Sequence, residues 1–141
     1  MGEYGSITGG EFNRASGHAA SVSGGDENIA SGKVSSISGG KLVTASGEYG
    51  SVGGGEGNFA IGPHASVGGG FENKAEGEFA SVSGGFGNLA SGQISSVSGG
   101  QWNIAPGFRA ASVSGGCAKT AGTKLLRRAR AKKATNQSPV A

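Results

Sequence analysis

The 141 residues include one cysteine, three prolines and one tryptophan. The lone Cys117 excludes an intramolecular disulfide framework. With so few prolines, and glycine not at every third place, collagen is excluded as well. No apolar run approaches the roughly 20 residues of a membrane-spanning helix. The opening residues Met1-Gly2-Glu3-Tyr4 lack the basic start and apolar core of a signal peptide. Hydrophobic residues make up 35% and aromatics 6%, too small a supply for a conventional globular core. Acid is missing from one end only. Residues 1–116 hold all nine acids against five basic residues, a net charge of −4, whereas residues 117–141 hold seven basic residues and no acid, +7. The overall charge of +3 therefore conceals two regions of opposite sign.

What the chain has instead is glycine, 31 residues of it, in a fixed pattern. Gly-Gly pairs close at Gly25, Gly40, Gly55, Gly70, Gly85 and Gly100, each step being 15 residues, and a last step to Gly116 is 16. A short period of this kind takes precedence over ordinary domain reading. Counted from the residue after each pair, the fifth place is always alanine (Ala15, Ala30, Ala45, Ala60, Ala75, Ala90, Ala105). The seventh is always glycine, from Gly17 to Gly107. The third is asparagine except at Val43. Serine followed by Val or Ile recurs near the end of each repeat, at Val22, Ile37, Val52, Val67, Val82, Val97 and Val113. Gly2 to Gly10 overlays the second half of a repeat, so the chain reads as starting mid-repeat, as a fragment or a truncated frame would.

Glycine at this density disfavours a helix, each instance costing on the order of 1 kcal/mol against alanine. Alternation in Ala-Ser-Val-Ser puts the valine and the small residue two before it on one face and the serines on the other. The glycines suit turns with positive φ or close backbone approach, and the asparagine is expected at a turn. Each repeat thus predicts one coil of an all-β solenoid, about eight coils in residues 1–116, with a rod length of roughly 35 Å from the usual strand spacing. The predicted core ladder consists of the alanines and the Val/Ile residues named above. Such a core is thin, and one coil could not stand alone. The triplets Gly53-Gly54-Gly55 and Gly68-Gly69-Gly70, with Ile61 and Pro63 between them, predict a looser or kinked middle.

Some large apolar residues fall where a narrow coil cannot bury them. They occupy the fourth place (Ile29, Phe59, Leu89, Ile104), the ninth (Val34, Tyr49, Phe79, Ile94) and the first two (Phe12, Leu42, Phe71, Phe86, Trp102). Ile29, Phe59, Phe79, Leu89, Ile94 and Ile104 are the candidate contacts with another chain. The alternative is that they are scattered surface apolars.

The unit Asn-x-Ala-Ser-Gly-x-x-Ser-Ser-Val-Ser-Gly-Gly resembles the head repeats of trimeric autotransporter adhesins, the YadA-like head, over residues 2–116. That family's usual unit is nearer 14 residues and often reads Ser-Val-Ala-Ile-Gly, whereas this one has 15 and reads Ser-Gly-Gly. The resemblance implies a left-handed parallel β-roll, a homotrimer, and display on a bacterial surface for attachment to host surface or matrix proteins. Anchoring to a membrane would then depend on segments other than these residues.

Little points to other chemistry. Gly85-Phe86-Gly87-Asn88-Leu89-Ala90 matches G-x-G-x-x-A, but its glycines are repeat punctuation rather than a strand-to-helix turn. His18 and His64 stand three coils apart, and no paired His, Cys or acid cluster supports a metal site or a triad. No enzyme and no cofactor are expected, and no nucleic-acid partner for the repeats. The basic residues from Lys124 to Lys133 read as a disordered tail or a short helix, which could touch nucleic acid or an anionic membrane. Two other functions compete with an adhesin head: a phage or other extracellular fibre segment, and an ice-binding solenoid. Gly53 and Gly68 break the serine row that ice binding would use.

Overall fold

The computed structural model describes residues 1–107 and 109–121, and within them the fold is a parallel β-solenoid without helix. Seven complete coils, from Glu11 to Gly116, are flanked by partial ones. Each coil contributes two strands of two residues. One sheet has eight strands, from Ser6–Ile7 to Ser112–Val113, stacked in chain order. The other has seven, from Arg14–Ala15 to Ile104–Ala105. Equivalent residues pair throughout, as in Ser81↔Ser96, Val82↔Val97 and Ala75↔Ala90. A third ladder of parallel bridges joins the first places, Glu11↔Asp26 through Gln101↔Cys117.

The pairing follows from the period. Identical sequence places stacked one coil apart satisfy each other's backbone groups, some amides donating forward (Ser81 N–H to Ser95 C=O at 2.8 Å, Ser83 N–H to Val97 C=O at 3.0 Å) and others back (Glu72 N–H to Glu56 C=O at 3.0 Å, Phe79 N–H to Pro63 C=O at 2.9 Å). The core is two side chains wide. All fourteen alanine and Val/Ile ladder residues named above are buried, Val113 being the most exposed at 6%. Ala20, Ala65 and Ala80 join them from the tenth place.

The third place is interior too. Asn28, Asn58, Asn73, Asn88 and Asn103 are buried, and each spans three coils by hydrogen bonds. Asn73 Nδ2 donates to Gly69 C=O and Gly85 C=O, both at 2.9 Å, and its Oδ1 accepts the Asn88 N–H at 3.0 Å. The expected turn role thus becomes a core role: the amide closes the Gly-Gly bend beside it and ties it to the next coil. This place stands two before the inward alanine, as Asn73 does before Ala75, so both point the same way.

The glycines divide by position. At the seventh place close approach decides: a Cβ on Gly77 would lie 2.0 Å from the carbonyl oxygen of Gly92. Left-handed backbone falls on the second glycine of each pair, as at Gly85 (93°), on the second place, as at Leu42 (53°), and two residues after the seventh place. From Gly17 to Gly92 each seventh-to-tenth segment is a turn closed by a bond such as Ala80 N–H to Gly77 C=O (3.1 Å), and its third residue has positive φ. There stand Val34 (56°), Tyr49 (56°), His64 (57°), Phe79 (56°) and Ile94 (55°).

The middle of the rod is continuous. Gly53 N–H bonds Val67 C=O at 2.9 Å and Gly68 N–H bonds Val82 C=O at 2.8 Å. Pro63 occupies the second residue of its turn, where a fixed φ near −65° is suitable. The 16-residue step also keeps register: Ser96↔Ser112 pair as elsewhere, and the extra residue is taken up between Gly107 and Ala110. The coil pattern runs on past Gly116, with Lys119 N–H on Asn103 Oδ1 (3.0 Å) and Ala121 N–H on Ile104 C=O (2.9 Å). The basic stretch from Lys124 to Lys133 lies outside the described residues.

Candidate functional site

Four outward features run along the rod, each set by one place in the repeat. The first is the outer face of the alanine sheet, the fourth-place row. Ile29 and Ile104 are 39% and 37% exposed there, and Phe59 and Leu89 are half-buried. Cations interrupt this row: Arg14 at one end and Lys74 in the middle, whose ammonium lies 5.6 Å from the centroid of the Phe59 ring and 3.6 Å from Glu76.

The second is the ninth-place corner, where Phe79 and Ile94 lie 50% and 56% exposed. The six candidate contacts are therefore split between two rows rather than gathered in one. Tyr49, His64 and Phe79 form a continuous ring stack, with centroids 4.9 and 4.7 Å apart and planes within 7° in both pairs. Val34 precedes the stack and Ile94 follows it, both exposed. His64 escapes a search for apolar residues, although its place in the repeat assigns it to this row. From Tyr4 to Ala110 the row carries no Asp, Glu, Lys or Arg. The charges stand one place earlier, where Lys33 and Glu48 pair at 3.4 Å on the surface. Such an exposed pair contributes little to stability.

The backbone of this row is one that side chains with a Cβ seldom adopt. Positive φ is disfavoured for side chains with a Cβ and most of all for β-branched ones, costing on the order of 1–2 kcal/mol. Glycine would be the natural occupant of the third turn residue. Val34, Tyr49, His64, Phe79 and Ile94 hold it instead, just as Phe12, Glu27, Leu42, Glu72 and Trp102 hold the same left-handed backbone at the second place; what sets the ninth place apart is that its residues are uncharged.

The third feature is the aromatic edge at the first two places. Phe71 and Phe86 stack at 5.3 Å, and Trp102 meets Phe86 edge-on at 4.7 Å. Gly87 makes room for the indole, since a Cβ there would come within 2.6 Å of it.

The fourth is the outer face of the serine–valine sheet. Its eleventh place is serine in every coil, from Ser6 to Ser112. Its thirteenth is hydroxylated except at Gly53 and Gly68. There the face is cut by a shallow groove of about 460 Å³ lined by Ser36, Ser38, Ser51, Ser66, Ser81 and Ser83 over a glycine floor. The glycines are built into it: a Cβ on Gly53 would lie 2.3 Å from the Gly68 carbonyl oxygen, and one on Gly68 2.4 Å from that of Ser83.

These surfaces offer contact area and neutral hydroxyls. Among the described residues no three His, Cys, Asp or Glu side chains converge, and His18 packs edge-on to Tyr4 at 5.5 Å. The arrangement can bind along its length, through apolar rows and a flat polar face. Neither a protein family nor a curated protein matches the sequence.

Proposed function

We propose that the chain is a non-enzymatic bacterial surface adhesin head, a left-handed β-roll that associates as a homotrimer and displays a surface for attachment to host or matrix proteins. The carrying observation is the ninth-place row: large apolar side chains, uncharged along the rod, held outward on a backbone that disfavours them. Side chains retained at a conformational cost, and left uncovered within one chain, serve a contact outside it. The repeat unit's resemblance to trimeric autotransporter heads supplies the trimer, the handedness and the adhesive role. A rod of stacked coils also suits display, since its variable outward places change without disturbing the Asn, Ala and Val ladders within. In light scattering the folded chain should show about three times its own mass, and a stable folded monomer would overturn the reading. Adhesion is tested by binding of the trimer to collagen, fibronectin and host cells, with no binding to any of the three counting against it.

A further inference from the structure

Two of the three stacked rings share their coils with the glycine notch. Tyr49 and Gly53 belong to the coil of residues 41–55, and His64 and Gly68 to the coil of residues 56–70. The serine face is cut away only where the neighbouring corner bears its stacked rings. We infer that the Tyr49–His64 stack of one copy seats in the Gly53–Gly68 notch of a second copy of this chain, fixing the two rods parallel and level. This contact rests on the association of copies proposed above and specifies where they meet.

Dimensions and chemistry agree. The Tyr49 and His64 rings, 4.9 Å apart and each about 3.5 Å thick, occupy roughly 8 Å along the rod, and Phe79, the third ring, stands level with Ser83 at the rim of the notch. Ser38 and Ser83, which bound the notch, stand three coil steps apart, about 14 Å between Cα atoms and roughly 10 Å clear of their side chains. The notch holds no charge, only serine, glycine and valine backbone, and the stack carries neither acid, lysine nor arginine. No ion is therefore desolvated without a partner. Tyr49 is 46% exposed, leaving its ring available for the contact.

Symmetry then selects the arrangement. The ninth and thirteenth places flank the strands of the eight-stranded sheet on opposite sides, as Tyr49 and Gly53 flank Ser51–Val52. A rotation about an axis parallel to the rod brings the ninth-place edge of one copy onto the thirteenth-place edge of its neighbour with no axial shift. An antiparallel face-to-face pair would instead set ninth on ninth and thirteenth on thirteenth. Because the rotation has no translation along the rod, the contact closes into a ring rather than growing into a filament.

The test uses the full chain with Cys117→Ser, so that introduced cysteines are the only thiols. Copies carrying His64→Cys are co-refolded with copies carrying Ser66→Cys and treated with a short bis-maleimide. The expected product is a mixed crosslink between the two kinds of copy. It should be absent when Ser66→Cys is replaced by Ser6→Cys or Ser112→Cys at the far ends of the same face. An oligomer that persists in light scattering without the mixed crosslink overturns this contact and leaves association standing. So does one that crosslinks chiefly His64→Cys to His64→Cys. A monomer overturns both. In parallel, Tyr49→Ala with His64→Ala should weaken association at least about tenfold, the scale of losing buried aromatic anchors. Circular dichroism should be unchanged, since Ala19 already occupies this turn position at φ 52°. Undiminished association of that variant likewise overturns the contact.

Discussion

The side-chain oxygen of Asn73 accepts the backbone N–H of Asn88 one coil away, at 3.0 Å, while the Asn73 amide nitrogen closes two glycine carbonyls. One buried side chain thus satisfies three backbone groups in three consecutive coils. A buried donor or acceptor left unmade costs about 1–3 kcal/mol. Asn73→Ala should therefore destabilise the rod by about 3 kcal/mol, read as a lower urea midpoint. A loss below about 1 kcal/mol would mean that water replaces the amide without penalty.

Val43 is the one break in this row between Asn13 and Asn103. It donates its own N–H to Asn28 Oδ1 at 3.0 Å but offers nothing onward, and among the described residues the Asn58 N–H has no acceptor. Val43→Asn restores the acceptor and two donors at the expense of one buried valine, worth about 1.5–3 kcal/mol. The restored groups outweigh it, so the variant should be more stable by about 1 kcal/mol. A lower midpoint than the parent's would show that the apolar contact dominates at this coil.

Glycines that look alike in the sequence should respond in opposite ways. Gly77 leaves no room for a Cβ, the nearest backbone oxygen being 2.0 Å away. Gly84 meets only one atom, at 3.9 Å, and its φ lies outside the left-handed region. Gly77→Ala should cost more than about 3 kcal/mol or abolish folding, as overpacking against rigid backbone does. Gly84→Ala should be neutral or stabilise by about 0.5 kcal/mol, through the reduced freedom of the unfolded chain. Equal melting shifts for the two would contradict this division of roles.

Val82 tests the core itself. It is 1% exposed and packed in a ladder with Val67 and Val97. Val82→Asp places a carboxylate where the described residues provide no cation, so the variant should unfold its neighbouring coils and lose more than about 4 kcal/mol. Unchanged circular dichroism and melting would mean that this valine does not face inward.

The inward Ala and Val rows were legible because period-2 alternation and a 15-residue repeat name them directly. The asparagine row was legible as a turn residue but not as a core one, although its spacing of two from the inward alanine places it on the same face. Polarity hid it, since a lone buried amide is unfavourable and only the stacked coils show how all its bonds are made. The turn geometry was legible in part: the second glycine of each pair has positive φ, as at Gly85 (93°), and the seventh-place glycine marks a close approach. What the glycines do not announce is the same backbone at the second place (Phe12, Glu27, Leu42, Glu72, Trp102) and at the ninth, where Val34, Tyr49, Phe79 and Ile94 are residues that propensity assigns to strands. The notch was visible only as a defect in a serine row, because its depth depends on a backbone path that Gly53 and Gly68 alone permit.

That mismatch gives a prediction in which folding and association move apart. Val34 and Ile94 are β-branched, with φ of 56° and 55°, and are 42% and 56% exposed. Replacing either by glycine relieves the left-handed strain, about 1–2 kcal/mol, and is partly offset by the greater freedom of glycine in the unfolded chain. Within the isolated rod little packing is lost, because the side chain is largely solvated. Val34→Gly or Ile94→Gly should therefore raise the stability of the dissociated chain by about 0.5–1 kcal/mol, measured by urea unfolding at a concentration where light scattering shows single chains. The same substitution removes apolar area from the ninth-place row, so at higher concentration the oligomer should dissociate more readily than the parent's. If both quantities rise or both fall together, the row serves the fold of the single rod and not its contact with another copy.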